Sequence, residues 1–313
     1  MAYRSLLATF TCATLLLGCT CTTAPLPVRQ KNWSIGILEG SSPLDLETAG
    51  MIAPRLTWRD IPGISARFVA DPFLVRRGAK WLLFFELFNE GSQRGEIALA
   101  ESDDLVSWSF RDVVLAEPFH LSYPFVFEHR GQHYMIPESR ANHEVRLYRA
   151  HNFPFDWRLE KVLIQGNYAD SSIVQFGDTW WLFTSLPPYT AALFHAPSPL
   201  GPWTQHPSSP MYADDSSRAR PAGAPIVLDG KLVRFVQDNR QGYGKKVRAM
   251  EVTALSATSF FEHPLQPDPL LGPGGEHWRW NGMHHISAVK LPNGRWVAAV
   301  DGNGDGLPEH ENE

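Results

Sequence analysis

Apolar and polar positions alternate along this chain in short runs, and the runs come in pairs. "FLVRRGAKWLLFFE", "FVFEHRGQHYMIPE", "SIVQFGDTWWLFTS", "PIVLDGKLVRFVQD" and "SAVKLPNGRWVAAVD" share one plan: an apolar run, a turn with glycine, then an aromatic-rich run. Alternation with β-branched and aromatic residues predicts a strand for each run, and the glycine turn predicts a hairpin for each pair. The turn glycines Gly78, Gly131, Gly177, Gly230 and Gly294 are 53, 46, 53 and 64 residues apart. That period belongs to propeller blades and not to helical repeats.

Two further features recur. A third strand follows in "GEIALAES", "EVRLYRA", "AALFHAP" and "KVRAMEV", and a tryptophan closes the unit in "DDLVSW", "FPFDW" and "PLGPW". Trp157 and Trp203 each lie 26 residues after their turn glycine; Trp108 lies 30 after its own, because the "FNEGSQRG" turn is longer. Five hairpins predict an all-β, five-bladed propeller. The last unit runs out of chain after "RWVAAVDG", so the N-terminal "WSIGILEG", with "MIAPRLTWRD", is expected to supply its missing strands and close the ring.

Composition narrows the reading. The 313 residues are 43% apolar with a net charge of −5, which suits a packed core and gives no basic face for nucleic acid. All three cysteines fall in "MAYRSLLATFTCATLLLGCTC", whose apolar stretch of about a dozen residues after Arg4 is too short to span a bilayer and has the form of a secretory signal. "LLGC" resembles a bacterial lipobox, which makes Cys19 the lipidation site. The expected organisation is a signal at 1–18, a tether at 19–32 and a propeller at 33–313. The chain would then be exported to a bacterial cell envelope and touch membrane only through its lipid anchor. The globular part has no cysteine, so no disulfide, thiol nucleophile or cysteine-bound metal is expected there.

The repeat aligns polar residues. Seven positions before each turn glycine stand Asp71, Pro124, Asp170, Gly223 and Ser287; seven or eight after it stand Glu86, Glu138, Ser185, Asp238 and Asp301. In a propeller the first strand of each blade lines the axis, so these positions converge at one mouth. Carboxylates ending apolar strands are costly to bury alone, and as a set they point to a shared acidic site.

Asp71 in "ADPF" and Asp170 in "YADSSIVQF" resemble the first- and third-blade aspartates of glycoside hydrolase family 43 propellers. The resemblance implies a general base at Asp71 and an aspartate at Asp170 that orients the acid and tunes its pKa. A second likeness covers about residues 68 to 302. "HLSYPFVF", "RLYRAHNFPFDW", "SPLGPW", "RPAGAPIV", "VQDNRQGYG" and "NGMHH" with "LPNGRWVAAVDG" look like the N-terminal propeller of plant glucosamine inositolphosphorylceramide transferases and bacterial relatives. There a glycosyltransferase domain follows, so the transferase activity is not carried over.

One departure matters: the fourth-blade Glu-Gly-Pro that holds the family 43 acid is replaced by "ARPAG" with Arg220. Glu138 is the first choice of acid, since desolvation at the end of an apolar strand raises a carboxyl pKa, with Asp238 second and Glu86 third. The expected reaction is glycoside hydrolysis by inversion, Asp71 activating water and Glu138 protonating the leaving oxygen. Substrate contacts are expected from Glu86, Tyr123, Arg220, Asp238, His285 and Trp280. Arg220, with Arg240 and Lys245, suits an anionic sugar or phosphate. Adjacent His284 and His285 on a strand would face opposite ways, so at most one would reach the channel. "DGNGDG" at 301–306 lacks the last acidic ligand of a calcium loop and reads as a glycine-rich turn. No cofactor or metal is expected, and the partner is a glycan or glycoconjugate, an anionic one included. The rival reading is a carbohydrate-binding or scaffolding propeller without turnover.

Overall fold

The computed structural model describes residues 32–48, 53–274 and 277–304. The strands run in chain order: β1 (Asn32–Ser42), β2 (Asp45–Leu46), β3 (Ala66–Arg77), β4 (Lys80–Asn89), β5 (Arg94–Ser102) and β6 (Ser109–Leu115) come first. Then come β7 (Ser122–His129), β8 (Gln132–Glu138), β9 (Glu144–Asn152), β10 (Asp156–Gln165), β11 (Ala169–Phe176), β12 (Thr179–Leu186) and β13 (Thr190–Ala196). Last are β14 (Thr204–Gln205), β15 (Ile226–Leu228), β16 (Lys231–Asp238), β17 (Lys246–Leu255), β18 (Phe260–Pro264), β19 (Ile286–Lys290) and β20 (Trp296–Gly304).

They form five antiparallel four-stranded sheets: β3 to β6, β7 to β10, β11 to β14, β15 to β18, and β19–β20–β1–β2. These are blades one to five of a propeller. Blade five is completed from the N-terminal side: β1 pairs with β20 from Asn32↔Gly304 to Gly40↔Trp296. Its outer strand is the Asp45–Leu46 pair, not the described part, 53–60, of the next stretch. Within that stretch Leu56 makes a single bridge to Ile35, and Trp58–Asp60 is a short 3-10 turn capped by Thr57. Residues 301–304 are also strand, not turn, because β1 extends the ladder through Gly304.

The apolar faces of adjacent blades seal against each other. One buried cluster joins blades one to three through Phe84, Tyr148 and Leu182. Others join blades five and one (Ile35, Phe85), four and five (Phe235, Met283), and three and four (Phe183, Leu232). Burying both faces of each sheet this way explains the near-continuous apolar runs of the inner strands. Among the described residues no helix is long and apolar enough to cross a membrane. The signal and Cys19 readings lie outside the described residues, as does the expected tether except for its last residue, Asn32, which opens β1.

Candidate active site

The first strands of blades one to three each break register at the same place. The ladder shifts between Ala70 and Phe73, between Ser122 and Phe125, and between Ala169 and Ser172. The residue inside each break has a left-handed backbone: Asp71 at φ 50°, Tyr123 at 46° and Asp170 at 55°. Aspartate tolerates this conformation better than most side chains, while tyrosine there is a strained outlier. A bulge of this kind re-aims its side chain, and three of them turn successive inner strands toward the axis.

Counting from the turn glycine misplaces positions in blades two and four. Gly78 and Gly177 take the first turn place after Arg77 and Phe176, whereas Gly131 and Gly230 take the second, after Arg130 and Asp229. Blades two and four are therefore offset by one residue. Tyr123, not Pro124, is the counterpart of Asp71, and Gln237, not Asp238, is the counterpart of Glu86 and Glu138. A one-residue slip reverses the side a strand residue faces. Asp238 accordingly points away from the axis, pairs with Arg240 and Arg248 at 2.6 and 2.7 Å, and is held well below the usual carboxylate range. Gln237 takes its place, donating to the Pro221 carbonyl at 3.0 Å and reaching Asp170 at 3.5 Å.

Asp71, Glu86, Glu138 and Asp170 are all buried at the axis and influence one another's ionisation. Arg220 ties them together: its Nε donates to Asp170 Oδ2, and its Nη2 lies 3.8 Å from Glu138 Oε2. Arg140 Nε holds the other oxygen of Glu138 at 2.8 Å. His120 Nε2 sits 3.3 Å from Glu86 Oε1, and its Nδ1 accepts from the Gly95 amide at 2.9 Å, which leaves Nε2 carrying the proton.

The far side of Asp71 is built by blade five. The Asp71 amide donates to Asp301 Oδ2 at 3.2 Å, and Asp301 Oδ1 accepts from the His284 and His285 amides at 3.1 and 3.0 Å. His284 Nδ1 is 2.7 Å from Asp301 Oδ2 and 3.8 Å from Asp71 Oδ1; His285 Nδ1 is 3.6 Å from that same oxygen. Both histidines thus reach Asp71, contrary to strand alternation, because they precede β19 and are not in extended pairing. Asp71, His284 and Asp301 can bring three donor atoms within 4.8 Å of one another, the grouping here that could hold a cation.

Burial pushes Glu138 up to about 8, with Asp170 adding to the rise and Arg220 opposing it. Burial likewise raises Asp71 to about 7 against the pull of His284, with Asp170 and Asp301 adding to the rise. Glu86 is raised well above its usual value by burial and by the neighbouring carboxylates. Burial would raise Asp170 too, but the Arg220 guanidinium overrides it and holds the group low. His284 does the same for Asp301. Burial takes His285 down to about 4, so it is neutral. One ring therefore holds carboxyls of opposite protonation, the arrangement that separates an acid from a base.

Tyr123 is fully buried, its ring edge-on to Phe73 and His285 at centroid distances of 4.9 and 5.2 Å. It is packing and cannot stack on a sugar. Trp280 is half-buried in the segment before β19. The exposed aromatic at the site is Tyr243, which the sequence reading did not single out. It is 50% exposed, edge-on to His284 at 5.3 Å, with the Arg220 guanidinium 5.1 Å from its ring centre. Beneath it Trp33 stacks on His284 at 3.8 Å. A Cβ at Gly244, which also has φ +70°, would meet the Trp33 ring at 2.6 Å, so only glycine lets Tyr243 and Trp33 share this corner. Of the three cations expected to meet an anion together, only Arg220 is in the site. Lys245 is bonded to Asn281, and Arg240 follows Asp238 outward.

The fold is that of five-bladed glycoside hydrolase propellers. A thermostable family-43 glycoside hydrolase superposes with a TM-score of 0.59 at 15% identity, covering 79% of this chain and 90% of its own. An exo-1,5-alpha-L-arabinanase from a bovine ruminal metagenomic library superposes at 0.54 with 15% identity, covering 74% and 87%. Sequence then fixes the family: the chain belongs to the one described as glucosamine inositolphosphorylceramide transferase 1, N-terminal, matched over residues 27–303. The rice (japonica) protein named glucosamine inositolphosphorylceramide transferase 1 is 38% identical over 306 residues, 89% of this chain and 41% of its own length. The Arabidopsis thaliana protein of the same name is 33% identical over 303 residues, 88% and 39%. The chain thus spans less than half the length of these relatives. Both are plant proteins and lend no support to a bacterial envelope location.

Proposed function

We propose that this propeller hydrolyses a glycosidic bond in a glycan or glycoconjugate. Asp71 serves as general base, Glu138 as general acid, and Asp170 with Arg220 as the pair that sets the acid. The observation that carries the reading is the joint placement of Glu138 and Asp71, buried carboxyls pushed up to about 8 and about 7, around the Asp170–Arg220 pair. Asp71 takes a proton from water as it attacks the anomeric carbon; Glu138 gives its proton to the departing oxygen, and the product anomer is inverted. Tyr243 offers a partly exposed ring on which a sugar face can rest, and Glu86 with His120 offers polar contacts. The glycoconjugate class is taken from the relatives' names, which pair glucosamine with inositolphosphorylceramide.

The second reading is a carbohydrate-binding propeller without turnover. Arg220, standing where the family 43 acid would be, favours it.

A pH–rate profile distinguishes them. Hydrolysis requires Asp71 ionised and Glu138 protonated, so kcat/KM is expected to rise as Asp71 loses its proton near 7 and to fall as Glu138 loses its own near 8. The two limbs belong to the coupled pair. A narrow bell centred between those values supports the assignment; turnover with a flat profile would move the acid and base to other residues, and no turnover at any pH supports the binder.

A further inference from the structure

The Asp238 position, expelled from the axis, helps to build a second feature. Two adjoining depressions of about 260 and 160 Å³ lie on the outer side of blade four, with Arg240 lining both. Lys246 lines the first; Arg218 and Arg248 line the second. Four cationic side chains meet there, and among the described residues the carboxylates they pair with are Asp238 and Asp215. The chain as a whole is negative, so this is a local reversal of sign.

The arginines are held in place with donors to spare. Arg240 gives Nε and Nη2 to Asp238 at 2.9 and 2.6 Å. Arg248 gives Nε to the same carboxylate at 2.7 Å and Nη1 to the Pro267 carbonyl at 3.0 Å. Arg218 gives Nε to Asp215 at 2.7 Å and lies over the Tyr212 ring at 4.0 Å. A purely structural network needs about one cation per carboxylate; here Asp238 alone orients two guanidiniums. Their remaining N–H groups, with the Lys246 ammonium, suit a multiply charged tetrahedral oxyanion, which arginine forks bind in pairs.

The groove also adjoins the site. The Asn239 amide donates to the Ser216 carbonyl at 2.7 Å and the Gln237 amide to the Arg220 carbonyl at 2.8 Å. The two segments that carry Arg218 and Arg240 outward therefore carry Arg220 and Gln237 inward.

We propose that this groove, formed by Arg218, Arg240, Lys246 and Arg248, binds a phosphoryl group beside the glycan site. Binding there does not depend on turnover, so its test is separate from that of the hydrolytic reading. Titration calorimetry of the full chain with inorganic phosphate should show saturable binding. An Arg218→Ala/Arg240→Ala double variant should weaken it about tenfold or more. Lys246→Ala, which removes no ion pair among the described residues, should weaken it severalfold and covers the case in which the double variant fails to fold. Sedimentation with phosphatidylcholine vesicles, with and without phosphatidylinositol, identifies the source. Capture only by phosphatidylinositol vesicles marks a lipid headgroup; binding of free phosphate without capture marks a soluble phosphoryl ligand. No binding to either, or binding unchanged in the folded variants, overturns the proposal. Phosphate binding in a protein that releases no sugar would leave the groove standing and remove the hydrolase.

Discussion

Glu138→Gln is expected to slow hydrolysis of glycosides with poor leaving groups by about 10²–10⁴-fold, the usual share of a positioned general acid. Aryl glycosides whose phenol departs without protonation should lose far less. The alkaline limb of the pH profile should also vanish, because that limb is the loss of the Glu138 proton and glutamine has none. Stability gives an independent reading. Glu138 is raised from 4.5 to about 8 in the folded chain, so its favourable contribution is complete below the lower value and is lost as pH rises through 8. The variant lacks this penalty and should gain on the wild type as pH increases from 5 to 8. Equal slowing of both substrate types, with the alkaline limb intact, would assign the acid elsewhere.

Replacing Arg220 by methionine should cost about 3–5 kcal/mol of stability near neutral pH, the scale for breaking a buried ion pair and leaving its partner charged. Arg220 is the cation that keeps Asp170 low and opposes the rise of Glu138. A carboxylate held below its unfolded value contributes stability above that value and loses it as pH falls through the folded one. Without Arg220 the Asp170 value rises, so the deficit should be greatest in neutral and alkaline solution and shrink below about pH 4, where protonated carboxyls need no cation. Arg220→Lys keeps the charge but not the fork that spans both acids, so it should rescue stability only in part. Denaturant unfolding at several pH values gives the answer. A loss below about 1 kcal/mol that ignores pH would reduce Arg220 to a solvated surface charge.

The blades were legible because hairpin strands and glycine turns are local in sequence. Closure by β1 was legible because an unpaired final hairpin needs a partner. Asp71, Glu86, Glu138 and Asp170 converge as their places in the repeat suggested, and Arg220 joins them from the stretch where the family 43 resemblance put an acid. Two of the errors share one cause: whether glycine takes the first or second place of a two-residue turn shifts positions counted from it by one. That exchanged Asp238 for Gln237 and Pro124 for Tyr123. The rest of the site depends on contacts between distant segments. His120 reaches Glu86 from a loop before β7, while Trp33 and Tyr243 meet around His284 only once the ring has closed. Asp301 was visible as a strand-end carboxylate, but its grip on the Asp71 amide spans 230 residues. A signal existed in "NGMHH": histidines just ahead of a strand are free of its alternation and can both turn inward.

The most direct measurement is sugar release. Purified protein is incubated with a panel of glycans and glycoconjugates beside Asp71→Asn, a change that keeps a side chain tolerant of the left-handed backbone at φ 50°. The expected result is release by the wild type of a product first seen by NMR as the inverted anomer, and release reduced to background in the variant. Release that Asp71→Asn leaves unchanged, or no release from any substrate, would contradict the claim that these blades assemble a hydrolytic centre.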